Sequence, residues 1–107
     1  MDRAAYVARV LHLYLKLPGA LHRILRDDRR IALDLHRRDI PIAVVENAFI
    51  LVVARRARRP TEEQPDPIRT LRYILPVIGE LLAAPPPPGY LRHLACRIRE
   101  ECLDTLD

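Results

Sequence analysis

The longest apolar stretch of the chain lies near its middle, over residues 42–54, where only Glu46 and Asn47 are polar. A surface helix normally keeps a polar face opposite its apolar stripe, and this stretch has almost none. It is also shorter than the ~20 apolar residues that a membrane-spanning helix needs. The pattern therefore predicts a central helix over about 41–59 that neighbouring helices cover on several sides.

Helical spacing of apolar residues also marks the chain before this central segment. Apolar positions three and four residues apart predict a first helix over 3–17, with Asp2 as its N-cap and Pro18-Gly19 after its end. Residues 20–38 repeat the pattern and leave two alternatives open. They form either one continuous helix or a helix with a break near Asp27, where an aspartate pair offers a cap.

Two further helices are predicted after the central one. Residues 60–66 read as an acidic, proline-bearing loop, and an aspartate followed by a proline then opens a helix over 67–83. Pro76 lies inside the periodic pattern of this helix and should kink it. The prolines of segment 84–89 predict a polyproline II linker, and a last helix follows over about 90–105.

The composition agrees with one helical domain. Of the 107 residues, 50% are hydrophobic and 30% are charged, a balance typical of a globular protein and not of a disordered one. No strand pattern is present, so we expect an all-α fold, a compact bundle of four to five helices in a single domain over 1–107. The N-terminus shows no signal-peptide pattern, and a cytoplasmic location without a membrane partner is expected.

Basic residues are concentrated in the first part of the chain. Residues 1–59 contain 13 basic and 6 acidic residues, whereas residues 60–107 contain 5 and 8. Arginine binds phosphate oxygens in a bidentate manner, and an aromatic ring can stack on an exposed base. The candidate nucleic-acid-binding residues surround the end of the central helix and the start of the next one: Arg55, Arg56, Arg58, Arg59, Arg69, Arg72 and Tyr73. The alternative is a solvated helix end that the acidic loop neutralises.

Residues that could carry catalysis do not form a recognisable set. The chain has three ungrouped glycines and no serine, which excludes a glycine-rich phosphate loop and a serine nucleophile. His93 and Cys96 lie one helical turn apart, but two ligands do not complete a metal site. We therefore expect a protein that is not an enzyme, with no cofactor, no metal and no small-molecule ligand.

Two segments resemble the C-terminal domain of DnaD-type primosome proteins. They are residues 33–49, LDLHRRDIPIAVVENAF, and residues 67–81, PIRTLRYILPVIGEL. In that family an apolar helix precedes a helix that opens with a tyrosine and carries a branched aliphatic residue four positions on, as Tyr73 and Val77 do here. The resemblance covers roughly the middle half of the chain and implies a small helical DNA-binding module of replication complexes. The chain also resembles small uncharacterised bacterial helical proteins in its Leu-Pro-Gly, Ile-Pro-Ile and Ile-Arg-Thr-Leu-Arg-Tyr segments.

Two hypotheses of function follow. The first is a non-enzymatic, DNA-associated accessory protein of bacterial replication or of a mobile element, with phosphates held by the arginine cluster. The alternative is a protein-protein interaction module, or a small helical subunit, that oligomerises through the central helix. Excess apolar surface usually marks a partner site, and the interface residues would be Ile50, Leu51 and Val53.

Overall fold

The computed structural model describes residues 1–18, 20, 23–57, 67–87, 89–94 and 96. Its elements are, in order, α1 (Arg3–Leu15), α2 (Arg26–Arg37), α3 (Ile42–Ala57), a 3₁₀ helix (Leu71–Ile74) and α4 (Leu75–Ala83). Residues 90–94 are helical as well. Within the described residues there is no strand, and the β pairing there is an isolated parallel bridge between Ala20 and Ile68. The predicted all-α fold is confirmed.

The core lies between α1, α2, α3 and the unit formed by the 3₁₀ helix and α4. α1 packs against α2 and α3, and α3 packs in turn against the 3₁₀ helix and α4. Each element contributes one stripe of apolar side chains, and burial of each large side chain stabilises the fold by ~1.5–3 kcal/mol. The largest fully buried apolar side chains are Val10, Tyr14, Leu35, Val45, Ile68, Leu71, Ile74 and Ile78.

The predicted central helix is present as α3, which begins at Ile42 and ends at Ala57. Its buried residues recur mainly at three- and four-residue steps: Val45, Ala48, Phe49, Val52 and Ala54. α1 covers one side of α3, and the 3₁₀ helix and α4 cover another, while Ala43 and Ala57 are exposed. The positions predicted for Arg58 and Arg59 lie outside the described residues.

The starts of α1 and α2 are set by aspartates in different ways. Asp2 is the N-cap of α1, as predicted, and its Oδ1 accepts a hydrogen bond from the Ala5 N–H at 2.7 Å. α2 begins only at Arg26, so the second alternative, a break near Asp27, is the correct one. The cap position is Leu25, which has no polar side chain, and its N–H donates instead to Asp28 Oδ2 at 2.8 Å.

The corner between α2 and α3 is a tight helix end. Asp39 adopts a left-handed conformation with φ of 55°, and the Ile40 N–H donates to the Leu35 carbonyl at 3.1 Å. This hydrogen bond over five residues satisfies one of the last carbonyls of α2, as a left-handed residue after a helix usually does. Ile40 is buried against the core and thereby fixes the angle at which α3 leaves.

The helix predicted over 67–83 begins later and is divided rather than kinked. Residues 67–70 are not helical, and the Thr70 hydroxyl caps the 3₁₀ helix by accepting from the Arg72 N–H at 2.8 Å. Pro76 has no N–H for the Arg72 carbonyl, so the Leu75 N–H donates to that carbonyl instead, which is a 3₁₀ bond. The α-helical bonding of α4 starts only from there.

The last helical segment follows a glycine turn. Gly89 has a positive φ of 89°, which glycine adopts without a steric cost, and its carbonyl accepts from the His93 N–H at 2.9 Å. Leu94 is buried and Leu91 is partly buried. The predicted loop 60–66 and the predicted helical residues 97–105 lie outside the described residues.

Candidate nucleic-acid interface

The outer surface of α2 carries four exposed arginines, which we call the arginine face: Arg26, Arg29, Arg30 and Arg37. At 100° per residue, Arg26, Arg30 and Arg37 fall within about 40° of one another around the helix axis. The opposite side of the helix carries the buried Ile31 and Leu35. Burial of that apolar side therefore holds the arginines outward along a rigid helix.

Two of the three carboxylates of α2 are bound by groups other than these arginines. Asp28 is fully buried, and its two oxygens accept from the N–H groups of Leu25 at 2.8 Å and Leu71 at 2.9 Å. Asp27 forms a bidentate pair with Arg72 of the 3₁₀ helix, at 2.7 and 3.1 Å. Asp34 is the remaining carboxylate of α2. None of the four arginines forms an ion pair with a described residue.

Arg72 connects the 3₁₀ helix to the arginine face. Its hydrogen bonds lower the pKa of Asp27, burial opposes that shift, and the charges of Arg72 and Arg30 lower the pKa further. A shallow groove of about 380 Å³ runs between the two elements. The charged residues that line it are Asp27, Arg30, Asp34, Arg37 and Arg72, above an apolar floor. This groove has a net positive charge and is open to solvent, as a phosphate-binding surface must be.

The structure separates Arg55 and Arg56, which the sequence placed in one cluster with Arg72. Arg55 donates two hydrogen bonds to Glu80 of α4, at 2.8 and 3.1 Å, and this contact raises the pKa of Arg55 and lowers that of Glu80. The Arg56 guanidinium lies over the ring of Tyr73, 5.8 Å from its centroid. Tyr73 and Glu80 are seven residues apart, ~10 Å along a helix, so the two arginines contact different parts of the same unit.

The other predicted site residues fall in several environments. Arg69 is exposed, and Tyr73 is 41% exposed with Arg56 on its ring. Arg58 and Arg59 lie outside the described residues. The predicted interface residues Ile50, Leu51 and Val53 are all partly buried, and Leu51 lines a second, apolar groove.

The sequence interpretation did not select the arginine face as a candidate site. Its signal was present, because arginines at positions 26, 30 and 37 repeat at helical spacing opposite the apolar positions 31 and 35. The prediction instead favoured the denser arginine run at the end of α3. Arginines that are neighbours in the sequence point in different directions on a helix, so a dense run does not by itself form one face.

Metal-binding clusters and membrane-spanning helices are both absent from the described part of the chain. It contains no group of three or more His, Cys, Asp or Glu side chains placed to hold a metal ion. None of its helices combines the length and apolar character that crossing a bilayer requires. Comparison with protein-family models found no matching family, and comparisons with curated proteins and with solved structures found no similar protein.

Proposed function

We propose that this chain is a non-enzymatic protein that associates with nucleic acid by binding phosphates with the arginine face of α2. The observation that carries the proposal is the charge balance of that helix: four exposed arginines, with two of its three aspartates already engaged elsewhere. An exposed arginine without a carboxylate partner is available for a bidentate contact with a phosphate.

The geometry suits contact with the nucleic-acid backbone more than reading of bases. Arg37 lies eleven positions after Arg26, which corresponds to ~16 Å along the helix. The major groove of B-form DNA is ~12 Å wide, so a helix laid across it can reach phosphates on both of its edges. Contacts of this kind give an affinity that falls steeply with salt and has little sequence preference.

The arginines at the end of α3 have a smaller part in this proposal. Arg55 must release Glu80, and Arg72 must release Asp27, before either can bind a phosphate with its full set of donors. Arg69 is exposed, and Tyr73 offers an exposed aromatic edge for a base. A role in bacterial replication or in a mobile element is proposed from the resemblance to DnaD-type domains alone.

A salt titration of DNA binding tests the proposal. Fluorescence anisotropy with a labelled duplex and a labelled single strand, from ~50 to ~200 mM salt, yields the slope of log affinity against log salt concentration. For three to four duplex phosphates we expect a slope of about −3 to −4. The triple variant Arg26→Ala, Arg30→Ala and Arg37→Ala should lose about 3 units of that slope and bind at least tenfold more weakly.

The matched control removes the same net charge from elsewhere on the described surface. Arg3→Ala, Lys16→Ala and Arg92→Ala change three exposed cations that lie outside α2. This control variant should keep most of the DNA affinity and most of the slope of log affinity against log salt concentration. Equal weakening by the two triple variants would mean that only net charge matters, and absence of binding at ~50 mM salt would remove the proposal altogether.

A further inference from the structure

Arg72 of the 3₁₀ helix is restrained at both ends of its side chain. Its own N–H donates to the Thr70 hydroxyl at 2.8 Å, and the preceding Leu71 N–H donates to the buried Asp28 of α2 at 2.9 Å. Its guanidinium forms the bidentate contact with Asp27, the second residue of α2. These hydrogen bonds hold the 3₁₀ helix against α2 and restrict the positions that the Arg72 guanidinium can take.

The contact with Asp27 uses only one side of this guanidinium. Nε donates to Asp27 Oδ2 at 2.7 Å, and Nη2 donates to Oδ1 at 3.1 Å. A guanidinium has five N–H donors in one plane, so both N–H groups of Nη1 and the second N–H of Nη2 remain. Among the described residues nothing accepts from these three N–H groups, and the Arg72 side chain is 63% exposed. A second fork, formed by Nη1 and Nη2, is therefore open to an acceptor from solvent.

The groove of about 380 Å³ between the 3₁₀ helix and α2 brings other arginines to this fork. Arg72 lines the groove from the 3₁₀ helix, and Arg30 and Arg37 line it from α2. The pKa of Asp27 is lowered first by the hydrogen bonds from Arg72, against the effect of burial, and then by the charges of Arg72 and Arg30. Arg30 and Arg72 thus lie beside the same carboxylate, where one small anion can contact both.

The two arginines would contribute differently to such a contact. Asp27 already balances the charge of Arg72, so the attraction for an anion comes mainly from Arg30, which forms no ion pair with a described residue. Arg72 contributes N–H donors whose direction is set in advance. A donor that is ordered before binding loses less conformational freedom when the ligand arrives.

We propose that this groove binds one phosphate group of a nucleic-acid backbone between Arg30 and the second fork of Arg72, with Asp27 as the residue that positions Arg72. The inference rests on the proposed function and deepens it by naming one phosphate site at the edge of the arginine face. Binding at this site breaks no existing hydrogen bond, because the phosphate and Asp27 take different sides of the guanidinium. Bidentate contacts between arginine and phosphate are among the stronger charge-assisted hydrogen bonds.

Replacement of arginine by lysine tests the second fork without changing the net charge. In Arg72→Lys a single ammonium group pairs with Asp27 and has no second fork to offer. In fluorescence anisotropy with a labelled duplex at ~50 mM salt, we expect Arg72→Lys to bind about fivefold more weakly than the parent chain. The matched control is Arg92→Lys, which changes an exposed arginine outside the groove and should alter the affinity by less than about twofold.

The outcomes separate this site from the proposed function. If Arg72→Lys is as mild as Arg92→Lys while the triple variant of α2 is weakened, the site is wrong and the proposed function stands. If the parent chain does not bind DNA, both are wrong.

Neutral amides at the two aspartates of the groove test the role of Asp27. Asp27→Asn and Asp34→Asn each remove one negative charge from the groove, but only the first changes the contact with Arg72. We expect Asp27→Asn to bind the duplex at least about threefold more weakly than Asp34→Asn, because Arg72 is then less restrained. In an Arg72→Gln background the two amide variants should bind equally. If Asp27→Asn binds more tightly than Asp34→Asn, Asp27 competes with the phosphate instead of positioning Arg72, and the inference is overturned.

Discussion

Asp28 is the side chain on which two separate helix starts depend. We therefore expect its replacement to lower the free energy of unfolding. The residue is fully buried near the beginning of α2. One carboxylate oxygen accepts from the Leu25 N–H at 2.8 Å, and the other accepts from the Leu71 N–H at 2.9 Å. The same group thus caps α2 and joins it to the 3₁₀ helix, 43 residues later in the chain.

Asp28→Asn keeps the shape of the side chain but removes one acceptor and the negative charge. A hydrogen bond to a charged group contributes ~1.5–3 kcal/mol, and a buried N–H left without an acceptor costs a further ~1–3 kcal/mol. Relief from burying a charge offsets part of this loss. We therefore expect the free energy of unfolding to fall by about 3 kcal/mol and the melting temperature to fall by roughly 10–20 °C.

Urea unfolding followed by far-ultraviolet circular dichroism measures this change. Asp34→Asn is the matched control, because Asp34 lies on the same helix and is exposed, and its replacement should change the free energy of unfolding by no more than ~0.5 kcal/mol. If Asp28→Asn were equally mild, the carboxylate would not be holding the two helix starts together, and the account of how α2 begins would be wrong.

Three further predictions concern single groups. Tyr14→Phe should raise the free energy of unfolding by ~1 kcal/mol, because the buried Tyr14 hydroxyl has no hydrogen-bond partner among the described residues. Tyr6→Phe should lower the free energy of unfolding by ~1 kcal/mol, because the Tyr6 hydroxyl donates to a buried carbonyl at 2.8 Å. If urea unfolding showed that both substitutions change the free energy of unfolding in the same direction, this expectation would be wrong. Asp39→Gly should stabilise by ~0.5–1 kcal/mol, since glycine adopts the positive φ of 55° without strain, and a measured loss would speak against it. Arg72 lowers the pKa of Asp27 below its ordinary 3.8, so the stability that this pair contributes is present above pH ~4 and is lost as the pH falls through the lowered pKa. Nuclear magnetic resonance titration should show that pKa rising in Arg72→Gln, and an unchanged value would exclude the pairing.

Much of the helical content was predictable because its causes are local. The Asp2 cap, the apolar spacing of α1 and the unbroken apolar run of α3 act over a few residues, so the sequence alone indicates them. The interruption between the predicted helices over 20–38 and about 41–59 is local as well, because Pro41 disfavours a helical conformation in the residue before it. These signals do not depend on which segments meet in space.

In the later part of the chain, the position at which helical structure starts depends on contacts that sequence spacing does not show. Pro67 looked like the first residue of a helix, but the segment 67–70 is not helical, with Ile68 bridged to Ala20, and helical structure starts only at Leu71. The Leu71 N–H is held by Asp28, which lies far earlier in the chain. Thr70 offers a local cap for that start and Pro67 is favoured at the first position of a helix, so local rules do not choose between the two.

The candidate site was likewise predictable only in part from the sequence. The sequence alone determined how many arginines the chain has and which of them share a face of a helix, because both follow from order and helical period. Only the tertiary structure decided which of them are neutralised, since Arg55 meets Glu80 from 25 residues away and Arg72 meets Asp27 from 45. A charge is available to a partner only when packing has not already brought an opposite charge to it, and packing is a property of the whole fold.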